Sequence, residues 1–206
     1  MLFCSDPFLV FLAVVLLVTR ATERVPRAQK LWLLLASNFF YGYWDWRFLG
    51  LIWLTTVMDW GVALLVERQT VVSRRKLVLS ISIVVNLAIL GFFKYFDFFQ
   101  LSAERVLETW GIAYEPWLLK LVLPVGISFY VFQSMSYVVD VYRLDMKASR
   151  SLFDFALFVM YFPQLVAGPI ERAPHLMPQL SGVRRVRLPN VLSGMLLILW
   201  GCVKKA

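Results

Sequence analysis

The chain is a succession of long uncharged apolar runs separated by short charged segments, and this alternation restricts its fold more than any other feature. The runs cover residues 8–18 (extending back towards residue 2), 31–43, 48–66, 77–93, 118–141, 153–166 and 191–203. Hydrophobic residues make up 60% of the 206 residues and charged residues only 17%. A soluble domain is about 45–50% apolar, and one soluble core could not bury the excess. The bilayer is the natural solvent for such runs. Backbone polar groups in lipid must be paired within the protein, so only helices or a closed barrel can span it. The runs are continuous rather than alternating, which argues against a barrel. The predicted class is all-α, a polytopic transmembrane helical bundle.

Charge orients the bundle. The segment after the first run carries Arg20, Arg24, Arg27 and Lys30 against Glu23, and that after the third carries Arg68, Arg74, Arg75 and Lys76 against Glu67. The segment after the second run is short and aromatic, from Tyr41 to Arg47. The one after the fourth reads as an acidic loop, with Asp97, Glu104, Glu108 and Glu115 against Arg105. The positive-inside rule puts the two basic segments in the cytoplasm, so the N-terminus and the acidic loop face outward. No basic segment precedes residue 8, so the first run reads as a retained span rather than a cleaved signal. The net charge of +8 is concentrated between apolar runs. That pattern fits topology and contact with anionic lipid, not nucleic acid.

The sixth run breaks the alternation. Residues 153–166 have basic residues on both sides: Arg143, Lys147 and Arg150 before, and Arg172, Arg184, Arg185 and Arg187 after. Pro163, Gly168 and Pro169 interrupt its end. The run reads as a re-entrant segment that enters from the cytoplasm and returns. Such backbone is tolerated only where protein buries it or where it lines a cavity, so it is a functional-site candidate. An ordinary short span that departs from the charge rule is the alternative. About six spans and this segment then form a single membrane domain over residues 1–206.

Polar residues inside the runs narrow the site further. Asp59, Asn86, Gln133, Asp140 and Gln164 should each face the protein interior or water. Hydrogen bonding between helices accounts for Asn86, and an ion pair with Arg143 accounts for Asp140 as well as chemistry does. The cluster Tyr41-Gly42-Tyr43-Trp44-Asp45-Trp46 reads as an interfacial aromatic belt, with a sugar-stacking platform as the alternative. Cys4 and Cys202 stand far apart without ligand spacing, and no metal site is expected. No dinucleotide fingerprint, phosphate loop, zinc-protease motif or nucleophile elbow occurs. The single histidine, His175, has no Ser, Cys or carboxylate beside it in sequence, so it is not assigned a catalytic role. No catalytic residue is assigned in this chain.

Several motifs together are more specific. One is Leu123-Pro124-Val125-Gly126-Ile127-Ser128-Phe129-Tyr130-Val131-Phe132-Gln133, continued by Ser136-Tyr137-Val138-Val139-Asp140-Val141-Tyr142-Arg143. Another is Tyr161-Phe162-Pro163-Gln164-Leu165-Val166-Ala167-Gly168-Pro169-Ile170-Glu171-Arg172, followed by Leu176-Met177-Pro178-Gln179-Leu180. Phe92-Phe93-Lys94-Tyr95-Phe96-Asp97-Phe98-Phe99 and Gly201-Cys202-Val203-Lys204-Lys205 complete the set. Over essentially its whole length the chain resembles the membrane-bound O-acyltransferase family, and most of all its alginate O-acetyltransferase branch.

The resemblance implies a ring of tilted helices around a thin centre, in the bacterial inner membrane, with the N-terminus outside. It implies transfer of an acyl group from a cytoplasmic thioester, acetyl-CoA or an acyl carrier protein, towards an exported polysaccharide such as alginate. A separate exported protein would complete the transfer, and no bound cofactor is expected. It also implies that Pro124, Gly126, Ser128, Gln133, Asp140, Arg143, Pro163, Gln164, Gly168, Pro169 and Arg172 shape a cytoplasmic funnel for the donor. The family's active-site histidine lies in a tryptophan–histidine–glycine motif beyond the paired lysines, and none occurs in these 206 residues. The expectation is therefore an N-terminal half that does not catalyse acyl transfer alone. A non-catalytic scaffold or remnant, and a transporter with a broken midplane helix, are the competing readings.

Overall fold

The computed structural model describes residues 5–111, 124–165, 168–169, 171–182 and 188–205. Cys4, Glu115, residues 118–123 of the fifth run, Val166, Arg184, Arg185 and Arg187 lie outside these described residues. Among the described residues there are helices and no strands. They are α1 (Asp6–Ala21), α2 (Pro26–Asp45), α3 (Leu49–Arg68), α4 (Val72–Thr109), α5 (Ile127–Arg143), α6 (Leu152–Met160), α7 (Phe162–Leu165), α8 (Ala173–Ser181) and α9 (Leu188–Lys205). A single 3-10 turn, Trp46–Phe48, joins α2 to α3. The described parts of the expected spans fall on α1 to α5 and α9, and those of the expected re-entrant segment on α6 and α7.

The packing is that of a protein dissolved in lipid. Apolar side chains cover the outer surface: Leu17 is 70% exposed, Val84 64% and Leu197 70%. Polar ones fill the interior, with Asp59, Asn86, Gln133, Ser37, Thr55 and Thr56 fully buried. A soluble monomer would not tolerate so much exposed apolar surface. The stretches Pro26–Arg68 and Val72–Thr109 are long and apolar enough to cross a bilayer. The chain is an all-α membrane protein. By the rise of 1.5 Å per residue, α1, α5 and α9 measure about 24–27 Å, slightly less than the hydrocarbon thickness of about 30 Å, a mismatch that tilt cannot relieve and local thinning can.

α3 is the central element, in contact with α2, α4, α5 and α6. A buried carboxylate binds three of these helices together. Asp59 on α3 accepts hydrogen bonds from Ser82 and Asn86 on α4, each at 2.8 Å, and from Ser134 on α5. Its full burial is therefore matched by donors from two neighbours, which is the arrangement expected of interhelical hydrogen bonds in a membrane.

The basic ends gather at one end of the bundle. Lys30 at the start of α2 pairs with Asp154 at the start of α6, at 2.7 Å. Glu67 at the end of α3 pairs with Arg150 at 2.8 Å. Arg75 at the start of α4 donates to the Tyr142 carbonyl at 2.6 Å, and its guanidinium lies 5.3 Å from the Tyr142 ring centre. A cation on the last carbonyls of α5 also meets the negative end of that helix dipole. The basic segments expected on one side do share one side, and part of their charge is spent on packing.

One expectation is corrected. The acidic loop after the fourth run is helix: Asp97, Glu104, Arg105 and Glu108 continue α4, which runs 38 residues, or about 57 Å. Glu, Ala, Leu and Arg are strong helix formers, so loss of apolar character at residue 94 does not end the helix. Pro124-Val125-Gly126 is a turn that leads into α5; the expected kink within the fifth run also involves residues 118–123, which lie outside the described residues.

Candidate functional site: a buried hairpin on α5

α6 explains itself from sequence. Phe155 to Met160 are all buried, so the helix is apolar on every side, which is the mark of an interior helix. The Ser151 hydroxyl caps it by accepting from the Asp154 amide at 3.2 Å. At nine residues, about 14 Å, α6 is too short to cross a bilayer. Its N-terminal end sits with the basic residues, through Lys30–Asp154 and through the Trp60 indole donating to the Ser149 carbonyl at 2.8 Å.

From there the chain runs towards the other end of α5. The Phe162 amide donates to Ser37 in the middle of α2 at 3.2 Å. Leu165 arrives at the turn that opens α5: a Cβ placed on Gly126 would lie 2.8 Å from the Leu165 carbonyl oxygen. Gly126 has φ +75°, in the left-handed region where glycine alone is unstrained. The same turn is held from α2, where the Tyr41 hydroxyl donates to the Val125 carbonyl at 3.2 Å. Gln164 then folds the chain back, its Nε2 donating to the Pro169 carbonyl at 2.9 Å while the Gly168 amide donates to the Gln164 carbonyl at 2.9 Å. Gly168 is so close to Gln164 that a Cβ there would meet its Cα at 2.7 Å. The helix that follows, α8, packs back against both α5 and α6. The described residues of 152–165 thus run along α5 to its opening turn, and α8, after the fold-back at Gln164–Pro169, packs against α5 and α6 again.

A polar stripe runs beneath the hairpin. Tyr130, Gln133, Tyr137 and Asp140 stand three, four and three residues apart, on one face of α5. All four are buried. Tyr130 meets Tyr41 edge to face at 6.5 Å between ring centres. Gln133 donates from Nε2 to the Phe158 carbonyl at 2.8 Å. The Tyr137 hydroxyl accepts from the Ser149 amide at 2.8 Å. Three acceptor atoms, Gln133 Oε1, Gln164 Oε1 and Asp140 Oδ2, are buried without a hydrogen-bond partner. Buried acceptors of this kind are rare in finished interiors, since each gives up its solvation. The stripe can bind and orient a polar group. Among the described residues it holds no paired nucleophile and base, and no group of three or more His, Cys, Asp or Glu that could hold a metal.

The structure brings some of the expected residues together and leaves others apart. Gly126 meets Leu165, and Gln164 beside it contacts Gly168 and Pro169; Gln133 lies farther along α5 against the Phe158 carbonyl, and Asp140 is buried near the C-terminal end of that helix. Ser128 is half-buried on the first turn of α5. Pro163 points elsewhere, lining a cavity between α1 and α9. Arg143 is exposed and forms no salt bridge with Asp140, so the expected ion pair is not formed. His175 is exposed on α8. The aromatic cluster divides: Tyr41 is buried at the α5 turn, whereas Tyr43 and Trp46 are 57% and 75% exposed, as a belt requires. Sequence reasoning missed Tyr130, Tyr137 and Ser37. The spacing of Tyr130, Gln133, Tyr137 and Asp140 was the signal that could have found the first two.

Known proteins share this segment. The chain is 38% identical over 207 residues, all of its length, to the probable alginate O-acetylase AlgI of Azotobacter vinelandii, covering 41% of that protein. It is 40% identical over 183 residues, 87% of the chain, to the probable alginate O-acetylase AlgI of Pseudomonas putida, covering 37% of it. It is 32% identical over 214 residues, 91% of the chain, to a peptidoglycan O-acetyltransferase of Helicobacter pylori, covering 40% of it. The chain belongs to the membrane-bound O-acyltransferase family. It spans about two fifths of the length of these relatives. No family model matches it, and no solved structure does. The membership therefore rests on these identities, and the two motifs that first suggested the family are the two that meet at Gly126 and Leu165.

Proposed function

We propose that the chain is the donor-side portion of a membrane O-acyltransferase that acetylates an exported polysaccharide such as alginate. The observation that carries this reading is the hairpin of residues 152–172, seated on the polar stripe of α5, in a chain similar over its full length to O-acetylases. The donor is a cytoplasmic acyl thioester, acetyl-CoA or an acyl carrier protein. Arg143 and Arg172, both exposed, give the entrance a positive potential that attracts an anionic donor. The buried amides of Gln133 and Gln164 orient the pantetheine or acyl end by hydrogen bonds. The transfer itself needs a base for the acceptor hydroxyl and donors for the developing oxyanion, and this reading assigns those groups to parts of the enzyme outside this chain. The protein sits in the bacterial inner membrane with its N-terminus outside, and an exported acetylating protein receives the acyl group.

Ester-linked acetate on the exported polysaccharide tests the reading. Deleting the gene should abolish it, and complementation with Gln133→Leu or Gln164→Leu should restore only a fraction at equal protein level in the membrane. Unchanged acetate after deletion would overturn the assignment.

A further inference from the structure

A second site lies away from the hairpin's polar face. A cavity of about 370 Å³ opens between α1 and α9, bounded by Val15, Thr19, Phe162, Asn190, Gly194 and Ile198 among others. Its size falls within the range of about 300–1,000 Å³ of small-molecule sites. The helices that form its walls turn apolar faces outward on either side, Leu17 on α1 and Leu196 and Leu197 on α9. An occupant therefore reaches it sideways from the membrane.

One polar atom in this apolar wall lacks a partner. Thr19 is only 5% exposed, and its Oγ1 makes no hydrogen bond. Its carbonyl is already used, accepting from Gln29 Nε2 at 3.0 Å and from the Thr22 hydroxyl at 3.3 Å. A hydroxyl left unpaired in an apolar wall is costly unless a ligand supplies an acceptor. Just beyond Thr19 comes the basic end of α1. Arg20 is engaged with Glu23, and Lys30 with Asp154. Arg24 and Arg27 are exposed and form no ion pair among the described residues. Free cations at a membrane face attract anionic headgroups.

We infer that the α1–α9 cavity binds one anionic glycerophospholipid, its acyl chain between the helices, its ester carbonyl accepting from Thr19 Oγ1 and its phosphate facing Arg24 and Arg27. The lipid fills the gap beside Tyr161-Phe162-Pro163 and so supports the hairpin from behind. It is a structural lipid, separate from the acyl donor.

The test uses the full-length protein in phosphatidylcholine nanodiscs with a trace of phosphatidylglycerol carrying a photoactivatable diazirine in its acyl chain. Cross-links should concentrate on the peptides containing residues 12–19 and 190–198, several-fold above the lipid-facing surface of α4. Unlabelled phosphatidylglycerol should compete and phosphatidylcholine should not. Gly194→Leu, which projects into open space, should bring the cavity cross-links down to the α4 level. Arg24→Gln with Arg27→Gln, both at exposed positions that folding does not need, should remove the preference for phosphatidylglycerol. Uniform labelling of all spans, labelling unaffected by Gly194→Leu, or a cavity that cross-links only to another stretch of the polypeptide would each overturn the inference.

Discussion

Replacing Gly126 by alanine tests the joint on which the site depends. The added Cβ faces two separate penalties. With φ +75° the residue is left-handed, which costs an L-residue about 1–2 kcal/mol. The Cβ would also stand 2.8 Å from the Leu165 carbonyl oxygen. That neighbour is backbone, so the hairpin itself must shift, and overpacking of this kind costs about 1–3 kcal/mol. The sum is about 2–5 kcal/mol, a large part of the 5–15 kcal/mol that typically separates folded from unfolded states. Gly91, inside α4, provides the control, since its Cβ would have nothing within 4 Å; alanine there should be neutral or stabilise by about 0.5–1 kcal/mol. Denaturant titration in detergent, followed by helical circular dichroism and by proteolysis of the hairpin, reads both. The reasoning fails if Gly126→Ala unfolds at the same midpoint as Gly91→Ala with the hairpin equally protected.

Other perturbations probe the frame around the site. Ser134→Ala removes one donor to Asp59 and should destabilise by about 0.5–1.5 kcal/mol, whereas Asp59→Ala, which strands three donors, should cost several times more in the same titration. A double-mutant cycle between them should show coupling, because both act on one hydrogen bond. Arg75→Gln uncaps the end of α5 and should cost about 0.3–2 kcal/mol, an effect that salt reduces. Leu144 holds φ +67° while 72% exposed, so Leu144→Gly should gain about 1 kcal/mol of stability. By contrast, Lys30→Met should change stability by less than about 1 kcal/mol, since the Lys30–Asp154 pair is partly solvated.

Much of this arrangement could be read in advance because membrane topology is written in coarse features. Two basic flanks around residues 153–166 do not suit a crossing, and the described part of that stretch is two short buried helices rather than one long one. The shared side of Lys30, Glu67, Arg75 and Arg150 follows from the same alternation. Features set by individual contacts were not legible. Nothing in the composition says that residues 94–109 stay helical, because a helix leaving the membrane needs propensity and not apolarity. The close approach of Gly126 to Leu165, 39 positions away, is a tertiary contact that no local spacing reveals.

The central claim is that residues 152–172 enter and leave at the basic end of the bundle. Single cysteines at Ser151 and Ser181, with Ser102 on the far part of α4 as the opposite-side control, measure this in intact cells with a membrane-impermeant thiol reagent. The account predicts that Ser102 labels from outside, while Ser151 and Ser181 label only after the cytoplasmic face is opened. If Ser181 labels from outside alongside Ser102, the segment crosses the membrane and the donor site built on its return does not exist.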